Sequence, residues 1–349
     1  MDADTVAELD GLLDLFHYIQ PVNSDEERER FLDAVEAGER YDPSYTYRAF
    51  EDGDTARELL DAVEDAAGTA LEERLAAGLR GRFEMMTAIG TGRITERSAA
   101  HYGEPGEELV AAARAAFTES GGGKQDAAVD GAQLKEAFDA LFDEIDVSYS
   151  CRTTDVDIIR NSSGERRILV PADKTYSVSA ARRLLVHEST HSVRTVNGGA
   201  TGQLPLQYGT AGYETAEEGL ATFNEAEMDV FGETRPRITA RVIAVAAADE
   251  GFHDLFDRMR ELGLDRRTAF IRAYRVKRGL QDTSRPGGFI KDHIYFQGYR
   301  RLEQTPELAD ALYVGKTGFD DAGRVDAEPG ISRAEHLAAC EQVADRLLA

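Results

Sequence analysis

The sequence predicts an α+β fold that is predominantly α-helical, with a small antiparallel sheet just ahead of one long helix. Three observations predict it. Apolar residues recur at intervals of three and four through most of the chain. The stretch from Val147 to Ile159 instead alternates like a strand. A helical pattern then opens near Ser179 and runs through Val186-His187-Glu188-Ser189-Thr190-His191. No self-similarity appears at a solenoid period.

Taken in order, Leu9, Leu12, Leu13, Phe16 and Ile19 predict one amphipathic helix over Val6 to Gln20, ended by Pro21. Asn23-Ser24-Asp25-Glu26-Glu27 opens a second helix, with acids near its positive end and Phe31, Leu32 and Val35 on its buried face. Asp42-Pro43 breaks the pattern, and Tyr41, Tyr45, Tyr47 and Phe50 form an aromatic extended segment suited to core packing. Helical periodicity resumes from Asp54 to Thr91 and from Gly106 to Phe117. The strongest punctuation is Glu119-Ser120-Gly121-Gly122-Gly123, polar onward to Gly131, which predicts a loop or boundary between an N-terminal helical region, 1–131, and a second region, 132–349, packed as one globular unit. In the second region a short helix around Leu134 to Phe142 precedes the Val147 strand, a turn at Asn161-Ser162-Ser163-Gly164 and a returning strand from Arg167 to Val170. Further helices are predicted over Ile238–Ala248, Phe252–Leu262, Arg266–Lys277, Ile290–Glu303 and Arg333–Leu348, with a glycine-rich loop over Gly279–Phe289.

Forty Lys and Arg against 65 Asp and Glu give a net charge of -25 in 349 residues. That balance argues against nucleic acid and against an anionic membrane surface as partners. The acidity is spread over the whole chain and Arg far outnumbers Lys, a pattern expected of a halophilic protein whose solvent screens self-repulsion. Cys151 and Cys340 make no disulfide framework and no C-x-x-C pair, so a reduced compartment is expected. The N-terminus has no basic-then-apolar leader, and Val242 to Ala248 is far too short to span a bilayer. The expectation is a cytoplasmic protein.

The stretch His187-Glu188-Ser189-Thr190-His191 carries the chemistry. On a helix, residues four apart project from one face ~6 Å apart along the axis, so His187 and His191 can aim ring nitrogens at one ion, and the pattern is that of a zinc site. Glu188, turned roughly 100° away, is poorly placed as a third ligand and well placed to take a proton from water on the metal. A catalytic zinc needs three protein ligands. Two segments compete to supply the third. Thr215-Ala216-Glu217-Glu218-Gly219-Leu220-Ala221 offers Glu218, although Thr215 and Glu218 also fit a capping box, and Gly219 suggests close approach of another element. Asn224-Glu225-Ala226-Glu227-Met228-Asp229 offers Glu225 in an N-E-x-x-x-D pattern. Spacing alone does not separate them.

These residues, with Arg194 and Asn197, the block Lys277-Arg278-Gly279, Asp282-Thr283-Ser284, Pro286-Gly287, Phe289, Lys291-Asp292, Tyr295 and Gly298, and N-terminal Pro21-Val22-Asn23, Asp42-Pro43 and Tyr47, resemble a family over nearly the whole chain. Its bacterial members are called QEGLA-motif proteins and its animal members microtubule-associated tyrosine carboxypeptidases. The resemblance implies a zincin-like metallopeptidase core binding Zn2+ through His187, His191 and a glutamate of the E-G-L-A motif, with Glu188 as base. Since the bacterial name has Gln at the position of Glu217, it favours Glu218 as the ligand and leaves Glu217 to orient a histidine. The chain departs from the family at Ser189, where a small apolar residue is usual, and over His191-Ser192-Val193.

The resemblance further implies a peptide or protein C-terminus as substrate, and relatives suggest an aromatic, tyrosine-like terminal residue. Tyr295, and after it His293, are candidates to stabilise the oxyanion. A cation is needed for the substrate's carboxylate, and Arg278, Arg285, Lys291 and Arg194 are the candidates. The alternatives are a zinc endopeptidase and a non-catalytic zinc-binding regulatory or scaffolding protein. Retention of Glu188 argues against the scaffold, since a structural zinc needs no adjacent base.

Overall fold

The structure is a computed structural model that describes residues 1–117, 128–156, 158–232 and 234–348. The glycine-rich break at 121–123 lies outside the described residues. The chain is α+β and predominantly helical, and it divides into two units, Met1–Ser120 with Arg235–Gln297 and Gly121–Thr234 with Gly298–Ala349.

The first unit is helical. The predicted helix over Val6 to Gln20 forms as two, Ala3–Leu12 and Leu15–Tyr18. Asp14 makes the break by accepting the His17 N–H at 3.1 Å and capping the second piece. Ser24–Ala37 follows and stops at Gly38, whose φ of 72° suits a residue without a Cβ. Phe31 on this helix is fully buried against Phe252, Phe256 and Phe270, with ring centres 4.9, 5.0 and 5.5 Å away. The helices Phe252–Glu261 and Arg266–Lys277 that carry those rings run almost as the periodicity predicts.

The aromatic segment around Tyr45 packs as expected. Tyr45 is fully buried, and the Tyr47 hydroxyl donates to the Leu280 carbonyl at 3.0 Å while accepting the Gly279 N–H at 2.7 Å. Ser44 bridges Asp282 and Thr283 donates to the Pro43 carbonyl, so the segment straps the loop 279–289. Beneath that loop the buried Lys277 ammonium donates to the carbonyls of Ala248, Arg285 and Gly287. Those bonds satisfy its three hydrogens.

The second unit opens with β1 (Ala128–Asp130) and the helix Gly131–Glu144, joined by a capping box between Asp130 and Gln133. Then come β2 (Ser150–Thr154), β3 (Arg160–Ser162), β4 (Arg167–Pro171) and β5 (Thr175–Ser177). β3 and β4 form the antiparallel hairpin, with the turn placed at 163–166 and Arg166 at a φ of 48°. β2 pairs parallel to β4, Cys151 opposite Ile168, so this sheet is mixed and β4 lies in its middle. Ile168 and Val170, two residues apart and so on one face of β4, are buried, while Arg167 and Leu169 on the other face are half-buried. A second, antiparallel pair, β1 with β5, leads directly into the motif helix Val178–Ala200. Ser177 at the end of β5 caps this helix by accepting the Ala180 N–H at 3.1 Å. The acidic helix Tyr213–Glu227 packs on it, and Arg333–Leu347 closes the unit. Among the described residues no helix is long and apolar enough to cross a membrane.

Candidate metal centre

Four residues apart on the motif helix, His187 and His191 bring their ring centres within 4.9 Å. The acidic helix supplies the facing carboxylate. Gly219 lets this helix seat closely on the backbone of Gly298, where a Cβ would lie 2.5 Å away. The helix starts at Tyr213 without a side-chain cap, so the capping box open to Thr215 and Glu218 does not form. Glu218 Oε2 instead lies 3.6 Å from His187 Nε2 and 3.8 Å from His191 Nε2. Donor atoms ~2 Å from one tetrahedral ion sit about 3.3 Å from each other, so this spacing is close to what a single small cation needs. Among the described residues, His187, His191 and Glu218 group their ligand atoms within 4.8 Å.

The other imidazole nitrogens also face carboxylates, one of them in hydrogen-bond contact. His187 Nδ1 lies 2.7 Å from Glu225 Oε1, and Glu225, fully buried, accepts a further bond from the Thr234 hydroxyl. His191 Nδ1 lies 3.5 Å from Glu217 Oε1, a buried oxygen without a hydrogen-bond partner, which Arg194 approaches at 3.8 Å. Each histidine thus has a carboxylate behind it, the arrangement that fixes the tautomer and orientation of a metal-binding imidazole. Burial opposes charge on His187, yet the Glu218 and Glu225 carboxylates outweigh it and push the imidazole up to about 9. The cluster therefore favours a cation. The residues fit a zinc ion in donor type, number and convergence.

Glu188 is half-buried on the same helix. Its carbonyl accepts from Asn161 Nδ2 at 2.9 Å and from Ser192 Oγ at 3.0 Å, while Asn161 Oδ1 accepts from the Tyr149 hydroxyl. Strand β3, which holds Asn161, is pinned to the motif helix at that residue. Neither Asn161 nor Tyr149 carries a local sequence signal for this role, because both act across the fold. Ser189 turns the other way: its Oγ lies 2.7 Å from His336 Nε2, and His336 Nδ1 lies 2.8 Å from the Tyr313 hydroxyl. Asn224 bonds both Tyr313 and Thr190, which extends this buried network to the acidic helix. Burial pushes the His336 imidazole down to about 3. The departure at Ser189 thus has a partner on the C-terminal helix.

The remaining candidates are distributed as follows. Arg194 is fully buried and donates to the carbonyls of Leu312, Gly315 and Thr317, bracing the segment that follows 311. Arg278, Arg285, Lys291, His293 and Tyr295 belong to the first unit. Tyr295 lies under the Arg241 guanidinium at 4.2 Å and 5.3 Å from Lys291 Nζ. His293 is buried and its Nδ1 donates to the Ile290 carbonyl at 2.8 Å. Arg278 is buried over the Phe289 ring at 5.0 Å, whereas Arg285 is exposed and pairs with Asp282 at 3.3 Å.

Fold and site together define a predominantly helical α+β protein with a candidate metal centre of two histidines and a glutamate on adjacent helices. A profile described as microtubule-associated tyrosine carboxypeptidase matches residues 29–329, and the chain belongs to that family. It is 29% identical over 150 residues to the mouse protein called microtubule-associated tyrosine carboxypeptidase 1 and 30% identical over 152 residues to the human one. Each alignment takes in 40% of this chain and 31% of the relative, so the likeness spans about a third of the length of those proteins.

Proposed function

We propose that the chain is a zinc-dependent metallopeptidase acting as a carboxypeptidase, which removes one residue from the C-terminus of a peptide or protein. The observation that carries the reading is the convergence of His187 Nε2, His191 Nε2 and Glu218 Oε2 with carboxylates behind both histidines. The names of the family and its relatives support the carboxypeptidase direction, and we extend their tyrosine preference to a preference for an aromatic terminal residue.

His187, His191 and Glu218 would hold the ion. When bound, zinc supplies a Lewis acid that makes water acidic near neutral pH and polarises a carbonyl. Glu188 takes the proton of the attacking water and passes it to the leaving amine. Glu225 and Glu217 hold the two imidazoles in register for that step, and Arg194 keeps Glu217 beside His191.

The test is Glu188→Gln, assayed on peptides with a free or amidated C-terminus. Zinc stoichiometry should stay as in the parent protein while kcat for loss of the terminal residue falls about 10²–10⁴-fold. Cleavage of internal bonds, or equal cleavage of amidated peptides, would replace carboxypeptidase by endopeptidase. Undiminished cellular function of the zinc-loaded variant would favour a scaffold.

A further inference from the structure

We propose that the first unit contains a built site for an oxyanion, a carboxylate or phosphate group, formed by the guanidinium groups of Arg241, Arg272 and Arg278. The site lies in that unit alone and does not depend on the peptidase reading.

Within a short span of chain the unit buries an excess of positive charge. Arg241, Arg272 and Arg278 are 9%, 8% and 8% exposed. Asp292, 2% exposed, is the carboxylate set among them, and Arg275 occupies both its oxygens, one at 2.6 Å. Arg241 Nε stays 3.8 Å from Asp292, beyond hydrogen-bond reach. Among the described residues Arg272 and Arg278 have no ion pair within 4.0 Å, and Arg241 Nε and Nη1, Arg272 Nε, and Arg278 Nε and Nη2 are buried N–H groups without a protein acceptor. Asp265, the other acid that Arg272 feels, is committed to capping its helix through Thr268.

Buried guanidinium donors without acceptors are rare because each one forfeits its bonds to water. Aromatic rings take the faces of these groups: Arg241 over Tyr295 at 4.2 Å and Arg278 over Phe289 at 5.0 Å. Their N–H edges are left for an in-plane acceptor, and a planar or tetrahedral oxyanion is the acceptor a guanidinium fork matches. Burial and the neighbouring charges of Arg241 and Arg275 push Arg272 down to about 9, the strain a bound anion would relieve. The ligand chemistry is that of a peptide's terminal or side-chain carboxylate, or of free phosphate.

The test titrates the full chain, as Glu188→Gln so that peptide is not consumed, with sodium phosphate, sodium acetate, and one peptide as free acid and as amide. Binding is read by calorimetry and by Tm, with chloride at matched ionic strength as reference. Phosphate or acetate should bind saturably and raise Tm beyond chloride. Arg241→Gln and Arg272→Gln should each weaken binding by about tenfold or more, and Arg40→Gln, exposed and paired with Asp254, should not. Free-acid peptide displacing phosphate while the amide does not would assign the site to a chain terminus; displacement by neither would assign it to the free ion. Absence of saturable binding by phosphate, acetate and peptide in the parent chain would overturn the site, whatever the folding of the arginine variants. So would unchanged affinity in both variants.

Discussion

Glu218 and Glu225 lie seven residues apart, two helical turns, and so share a face of the acidic helix. That is why residue spacing alone leaves both as candidate ligands. Packing separates them. Glu218 faces the Nε2 atoms of both histidines, whereas Glu225 faces Nδ1 of His187 and is held by Thr234. Their loss should differ accordingly. Glu225→Gln retains a hydrogen-bond partner for His187 but removes the charge behind it, and zinc affinity in a chelator competition should fall about 10–100-fold with stoichiometry kept. Glu218→Ala should fall further, because a donor atom itself is gone. Equal losses in the two variants, or no loss in Glu225→Gln, would contradict this division of roles. The same logic explains why Asn161 and Ser189 could not be read from the sequence: one reaches Glu188 from a strand and the other reaches His336 from the C-terminal helix, and neither partner lies within ten residues.

At the level of elements, Gly219 lets the carboxylate-bearing helix seat on the backbone of Gly298, and that contact positions the neighbouring Glu218. Gly219→Ala would place a methyl 2.5 Å from Gly298 backbone, which cannot rotate away as a side chain would. The variant should lose about 1–3 kcal/mol in urea unfolding, and zinc affinity should fall with it, since relief of the clash moves Glu218. A stability and zinc affinity equal to the parent would show that the helix contact is slack. This contact is legible in the sequence, because a glycine inside a helical pattern weakens the helix and so points to a neighbour packed too close for a Cβ. The helix from Arg266 to Lys277, with Asp265 as its cap, is equally legible. Less legible are features decided by partners. The first helix breaks at Asp14 because a cap outweighs an unbroken apolar stripe, and β2 runs parallel to β4 because strand alternation does not encode which neighbour a strand takes.

For the whole chain the governing quantity is charge, 65 acids against 40 bases. Local structure shows how the surplus is carried. On the helix Gly53–Asp65, the exposed residues Asp54, Glu58, Asp61 and Asp65 follow one another at three or four positions along one face, where like charges destabilise a helix. Arg80 offsets part of this by approaching Asp61 at 3.5 Å and bonding Glu64, but the outer acids of the run remain in excess. Salt weakens such repulsion and the surface ion pairs alike; with acids in surplus, repulsion is the larger sum. The urea midpoint should therefore rise as KCl increases from about 0.1 M, where the Debye length is ~10 Å, to about 1 M, where it is ~3 Å. Most of the gain should come within that interval and then level off, because screening saturates while a general salting-out effect would keep climbing. A midpoint that stays flat or falls over the same interval would mean that the surplus acids are already neutralised within the fold, and the halophilic reading of the composition would fail with it.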